Sequence, residues 1–245
     1  ELGIVPISEA VRRDVASLSL GAVSSKIAPY WQKQAGVLST HPWEVLKWPQ
    51  KNIMIVSQPA SDTDEGSCLV ANLQTGSWSR ITGWVTRCLG YFDEYGYFGS
   101  ADSAVYKMEV GGSDDGANYT CTYLGQHESL GAVGMQKTIT QARASFQSST
   151  PILPKVSAQT DFSQITSGIP ASPISTDIDV WDVGKWDIAK WDIGGAVTTN
   201  SLWTSVGKTG HVVAPEVQLT FGYAAVPVVE LVSIDVEFHV GARVA

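Results

Sequence analysis

Residues 91–116 read YFDEYGYFGSADSAVYKMEVGGSDDG, and the meaning of this stretch decides the fold. Residues 95–100 and 104–110 carry the aromatic and β-branched side chains of short strands, and the stretches that bound them are turn chemistry. Asp93-Glu94-Tyr95-Gly96 and Gly111-Gly112-Ser113-Asp114-Asp115-Gly116 supply residues that tolerate positive φ or close a turn with a side chain. Short strands joined by tight turns form antiparallel sheets, so this stretch predicts a β-meander.

The same texture extends in both directions. Residues 52–58 (NIMIVSQ), 68–72 (CLVAN), 78–82, 84–91 and 119–123 read as further strands, and Gln74-Thr75-Gly76 reads as another turn. A turn about every ten residues in hairpin order suits a propeller blade or a sandwich. Residues 43–124 hold roughly one to one and a half blades' worth of sequence. A second β set follows at 135–146, 212–221 and 228–240. In the last of these Val232, Ile234, Val236 and Phe238 alternate with Asp235, Glu237 and His239, which predicts one buried and one wet face. Residues 147–177, rich in Ser, Thr, Gln and Pro, read as an excursion from the sheet.

That excursion leads into WDVGKWDIAKWDIGG, with Trp181-Asp182, Trp186-Asp187 and Trp191-Asp192 at five-residue intervals. A period of five puts successive indoles on opposite faces of a strand and about 140° apart on a helix, so neither element buries all of them on one side. The stretch reads as a loop with rigid apolar anchors. They either pin a long connection to the β core or present a sugar-stacking surface. Upstream, residues 7–20 carry the one good helical pattern: Ser8 as N-cap, with Ile7, Val11, Val15 and Leu18 at helical spacing and Gly21 at the end. The expected class is all-β, with partial propeller blades, an antiparallel sandwich-like region and one short N-terminal helix. The expected divisions are 1–42 (helix and connector), 43–124 (blades) and 125–245 (sandwich-like region with an excursion at 147–200).

Composition narrows the function. The formal charge of −8 disfavours a phosphate-gripping surface, although it is compatible with DNA sliding past. No apolar stretch approaches the roughly 20 residues of a membrane span. The chain opens at Glu1-Leu2-Gly3 without an initiator Met or a signal-peptide pattern, which suggests a segment of a longer polypeptide. Cys68, Cys88 and Cys121 are odd in number and widely spaced, unlike a disulfide framework or a zinc site. Ser205-Val206-Gly207-Lys208-Thr209 resembles the end of a phosphate loop, but Leu202 stands where that motif needs Gly. The acidic turns at Asp62, Asp64 and Glu65 and at Asp114 and Asp115 lack full calcium-loop spacing. His41, His127, His211 and His239 are scattered, and Asp93 beside Glu94 on a turn makes a poor glycosidase pair. The expectation is a protein with no catalytic residue, no cofactor and no metal. Trp43, Trp48, Trp78 and Trp84 are expected in the core.

Taken together, TGSWSRITGW (residues 75–84), the strand-turn-strand of residues 91–116, the tryptophan repeat and the closing VPVVELVSIDVEFHVGARV resemble the C-terminal part of tail hub or nozzle proteins of short-tailed bacteriophages, also called phage stabilisation proteins. The resemblance implies a β-propeller completed by N-terminal blades. It implies a homo-oligomeric ring, a hexamer in the family, around the DNA exit channel. That ring meets portal or adaptor and tail fibre or spike proteins, in a virion assembled in the host cytoplasm. It gives structural roles to Thr75, Gly76 and Trp78 and to Gly99, Val105 and Tyr106. Trp181, Trp186 and Trp191, with Asp182, Asp187 and Asp192, suit a subunit boundary, where indoles often dominate binding. The alternative expectation is a carbohydrate-binding propeller or tail adhesin that stacks exposed Trp on glycan.

Overall fold

A computed structural model of the chain describes residues 3–12, 14–18, 21–59, 66–150, 152–163, 168, 198–200, 202–222 and 227–241. It is an all-β protein in which, among the described residues, the helical segments lie before Ile53, and it divides into two compact units, residues 1–109 and 110–245.

In the first unit β1 (Glu44–Trp48), β2 (Ile53–Gln58), β3 (Ser67–Asn72) and β4 (Trp78–Thr82) form a four-stranded antiparallel meander in sequence order. A second meander, β5 (Thr86–Phe92), β6 (Tyr95–Ser100) and β7 (Val105–Lys107), has three strands. Leu46, Trp48, Ile55 and Cys68 of the first sheet pack on Phe98 and Met108 of the second, with Trp84, Leu89 and Tyr106 around them. Strand alternation sends Met54, Val56, Leu69 and Ala71 to the opposite face, which is also buried. This is why β2 reads as a continuous apolar run.

Each core indole finds an acceptor or a stacking partner. The Trp48 Nε1–H donates to the Glu94 carbonyl (3.0 Å), Trp78 to Val23 (3.1 Å) and Trp43 to Leu38 (3.1 Å), while Trp84 stacks on Phe98 at 4.8 Å. Trp48 is 1 % exposed, and truncating an indole buried this deeply costs on the order of 3–5 kcal/mol. Gly96 makes room for it: a Cβ there would stand 2.9 Å from Met108 Sδ and 3.0 Å from Trp48 Cζ3.

The N-terminal segment differs from expectation. The single helix over 7–20 is instead two short pieces, α1 (Ile7–Arg12) and α2 (Val15–Leu18). The longest helix among the described residues, α3 (Ala28–Val37), follows a 3-10 turn at Val23–Ile27. Ile7 and Val11, expected on a buried stripe, are 82 % and 80 % exposed. Ile4, Val23, Ile27, Tyr30 and Trp31 instead cover the second face of the first meander. Residues 1–42 fall within the first unit, and these five side chains pack on its sheet.

The second unit is a two-sheet antiparallel sandwich. β8 (Tyr119–Leu124), β13 (Val213–Phe221) and β10 (Lys155–Thr160) make one sheet, with β13 central. In the other, β14 (Val229–Val240) lies along the whole of β9 (Lys137–Ser148). β12 (Trp203–Gly210) and β11 (Thr198–Asn200) share the opposite edge of β9. Ala142, Ala144 and Phe146 of β9 meet Val156, Val217, Leu219 and Phe221 across the interior, and Ile139, Ala158 and Val213 close one end.

Three expectations are corrected here. β8 belongs to the sandwich and not to the blades: its partner β13 lies about 100 residues later, and the division falls after Glu109 rather than after residue 124. The 147–200 excursion contains β10, and β11 ends it. In β14 a bulge between Leu231 and Ser233 shifts the phase by one residue. Leu231 and Ile234 therefore point inward while Val232 is 56 % exposed.

Candidate functional site

The residues singled out by sequence fall into three groups. Trp181, Trp186 and Trp191, with Asp182, Asp187 and Asp192, lie outside the described residues, as do Asp62, Asp64 and Glu65. Thr75, Gly76 and Trp78 build the β3–β4 hairpin. The Asn72 Oδ1 accepts from the backbone N–H of Gln74 (2.9 Å) and Thr75 (3.0 Å), Gly76 takes φ +67°, and Trp78 anchors the turn to Val23. Gly99 and Val105 face each other across β6 and β7, and Tyr106 stacks on Phe98 at 5.2 Å.

The described residues weighed for catalysis or metal binding sit in turns, in a strand bulge and in the core. Asp93 (φ +46°) and Glu94 (φ +67°) form the two-residue turn of the β5–β6 hairpin and project into solvent. Asp114 and Ala117 close another tight turn through reciprocal backbone bonds of 2.9 and 2.8 Å. Gly207 and Lys208 sit at a bulge inside β12, not at the strand-to-helix turn a phosphate loop requires. Glu216, 1 % exposed, is a buried carboxylate that accepts from Ser157 Oγ (2.9 Å), Gln218 Nε2 (3.0 Å) and Gln159 Nε2. Among the described residues no cluster of three or more His, Cys, Asp or Glu could hold a metal ion. Burial pushes the Cys68 thiol pKa up, against a weaker opposing bond from Thr86, and the side chain packs in the core of the first unit.

Two surfaces remain that the sequence did not point to. The first is the outer face of the three-stranded meander. Pairing puts Cys88, Gly99 and Val105 in one row, Gly90, Tyr97 and Lys107 in the next, and Phe92 with Tyr95 in the third. Phe92 and Val105 are 75 % and 74 % exposed, and the Lys107 ammonium stands 3.2 Å from the Tyr95 ring centroid. An apolar face of this kind on a sheet is what a second layer of protein ordinarily covers.

The second is the outer face of the sandwich sheet built on β9. Arg143, in the middle of that strand, pairs in register with Trp203 of β12 on one side and Asp235 of β14 on the other. Its guanidinium lies 4.8 Å from the Trp203 ring and donates from Nε (3.0 Å) and Nη2 (2.7 Å) to Asp235 Oδ2. Ser205, Gln141 and Glu237 form the adjacent row. Inside the first unit, an apolar cavity of about 210 Å³ lies where the three-stranded sheet leaves Val70, Ser79 and Ile81 of the four-stranded one partly uncovered.

No family model, curated protein or solved structure matches the chain. Among the described residues no helix is long and apolar enough to cross a membrane.

Proposed function

We propose that this chain is a structural subunit of a bacteriophage tail hub or nozzle, in which copies of the same protein assemble side by side into a ring that retains packaged DNA and passes it on ejection. The observation that carries the assembly is the bare outer face of the three-stranded meander, with Phe92 and Val105 each about three-quarters exposed and Tyr95 40 % exposed. The inner faces of the same two meanders already bury such residues against each other, so stacking a further sheet repeats a contact the chain makes within itself. A contact between unlike faces of identical subunits closes into a ring when the rotation allows. The resemblance of residues 75–116 and of the closing strand to tail hub proteins supplies the phage assignment. The net charge of −8 suits a wall along which DNA slides without being gripped.

The test is native mass spectrometry and sedimentation velocity of the wild-type chain and of Phe92→Lys/Val105→Lys. The expected result is a concentration-dependent oligomer that the double variant loses while its far-ultraviolet spectrum stays the same. A wild-type protein that remains monomeric up to its solubility limit, or a double variant that still assembles, would count against the reading.

A further inference from the structure

We infer that the outer face of the β9 sheet is a binding site for a neutral polysaccharide, centred on Trp203, Arg143 and Asp235. Three features of the cluster select that ligand. Trp203 is 47 % exposed even though the Arg143 guanidinium lies against its ring, so the indole is held in place and still offers apolar surface to a partner. Both N–H groups that Arg143 gives to Asp235 converge on one oxygen, Oδ2. The guanidinium keeps three further N–H donors, and Asp235 keeps Oδ1 as an acceptor, directly beside the indole. A sugar ring has a patch of C–H bonds on its face and hydroxyls, each both donor and acceptor, around its rim. A rigid indole next to a fixed donor–acceptor pair is complementary to both.

The rest of the face extends the match. Ser205, Gln141 and Glu237 form one neighbouring row and Ser145 and Ser233 another, at intervals of about 7 Å along β9. A polymer lying along the strand therefore meets hydrogen-bonding side chains at successive positions. The charge balance excludes the anionic alternatives: Glu230, Asp235 and Glu237 along β14 outnumber Arg143, whose charge Asp235 already balances. Nucleic acid and uronic-acid polymers are repelled, and neutral hexose polymers are not. Ser, Gln and Glu side chains fill these rows, whereas Phe92 and Val105 stand out on the meander face proposed for self-assembly.

Affinity electrophoresis of the full chain in native gels containing dextran, galactomannan or hydroxyethyl cellulose tests the inference, with polygalacturonate as the anionic control. Retardation by at least one neutral polymer and none by polygalacturonate is expected. Trp203→Ala should raise the apparent Kd about tenfold or more, Trp203→Phe should recover part of that loss, and Arg143→Gln should weaken binding with circular dichroism unchanged. Self-association should be the same in all three variants. The inference is overturned if no neutral polymer retards the wild type, if Trp203→Ala binds like the wild type, if polygalacturonate is the better ligand, or if Trp203→Ala abolishes self-association instead.

Discussion

At the scale of single residues, Lys137 shows how a charge can be kept inside a β-sandwich. It opens β9 and is 0 % exposed, and its ammonium donates to the carbonyls of Ala132 (2.7 Å), Met135 (2.9 Å) and His211 (2.7 Å). An ammonium has three donors and no acceptor, so the site uses its full capacity with carbonyl dipoles in place of water. The bonds tie the loop before β9 to the turn between β12 and β13. Lys137→Met removes them together and leaves three carbonyls without that partner. Charge-assisted bonds contribute roughly 1.5–3 kcal/mol each and do not add simply, so the variant should lose about 2–4 kcal/mol. Urea unfolding of the two proteins measures it, and a loss below about 1 kcal/mol would show that water replaces the ammonium at little cost. Lys137→Arg should also be destabilised although it keeps the charge, because a planar fork cannot converge on three carbonyls set around a point. Nothing in the local sequence announces this role, since two of the acceptors are neighbours and the third is 74 residues away.

At the scale of elements, legibility followed the chemistry of turns. Residues 78–82 and 95–100 were readable as strands because Gly76, Asp93, Glu94 and the aromatic runs mark their ends, and β4 and β6 occupy those positions. β10 and β12 were not readable. KVSAQT sends only Val156 and Ala158 inward, and WTSVGKTG is interrupted by a bulge at Gly207, so neither shows enough apolar alternation to stand out from a polar connection. The helical stripe of residues 7–20 misled for the converse reason: periodicity records the opportunity for burial, and Tyr30 and Trp31 took the sheet face instead. Trp203 could not be read as part of a site at all, because its role depends on a register that brings it beside Arg143 and Asp235, residues far apart in the chain. The turn after β10 carries a pH dependence. Asp161, at φ +50°, accepts from the backbone N–H of His211 (2.7 Å) and Val212 (3.3 Å), and the His211 N–H is the main cause that holds its pKa below the ordinary value. A depressed carboxyl pKa contributes stability above the unfolded value of about 3.9, and that contribution disappears as pH falls through the folded value. Asp161→Asn should therefore lower stability at neutral pH and flatten the acid side of the profile, read as urea midpoints from pH 7 to pH 2. A variant profile parallel to the wild type would remove Asp161 from the account. Asp102, lowered chiefly by the Tyr106 hydroxyl, keeps its own share of the acid dependence.

At the scale of the whole molecule, the two units differ in how they exclude water, and this makes their independence measurable. The first buries both faces of one meander, between a helical layer and a second meander. The second closes two sheets over a single interior in which β9 and β13 supply most of the side chains. Each has its own apolar clusters, and among the described residues no cluster draws side chains from both sides of the division after Glu109. Domains with separate cores unfold as separate cooperative blocks unless the surface between them is large and apolar. A polypeptide of residues 110–245 should therefore fold alone, with a β-type spectrum and a sigmoidal urea transition. In the full chain, Lys137→Met should move only the transition that this polypeptide shows, and Gly96→Ala, which crowds Trp48 and Met108, should move only the other. If both substitutions shift one common transition by the same route, the two cores are thermodynamically a single block, and the division at Glu109 is geometric without being energetic.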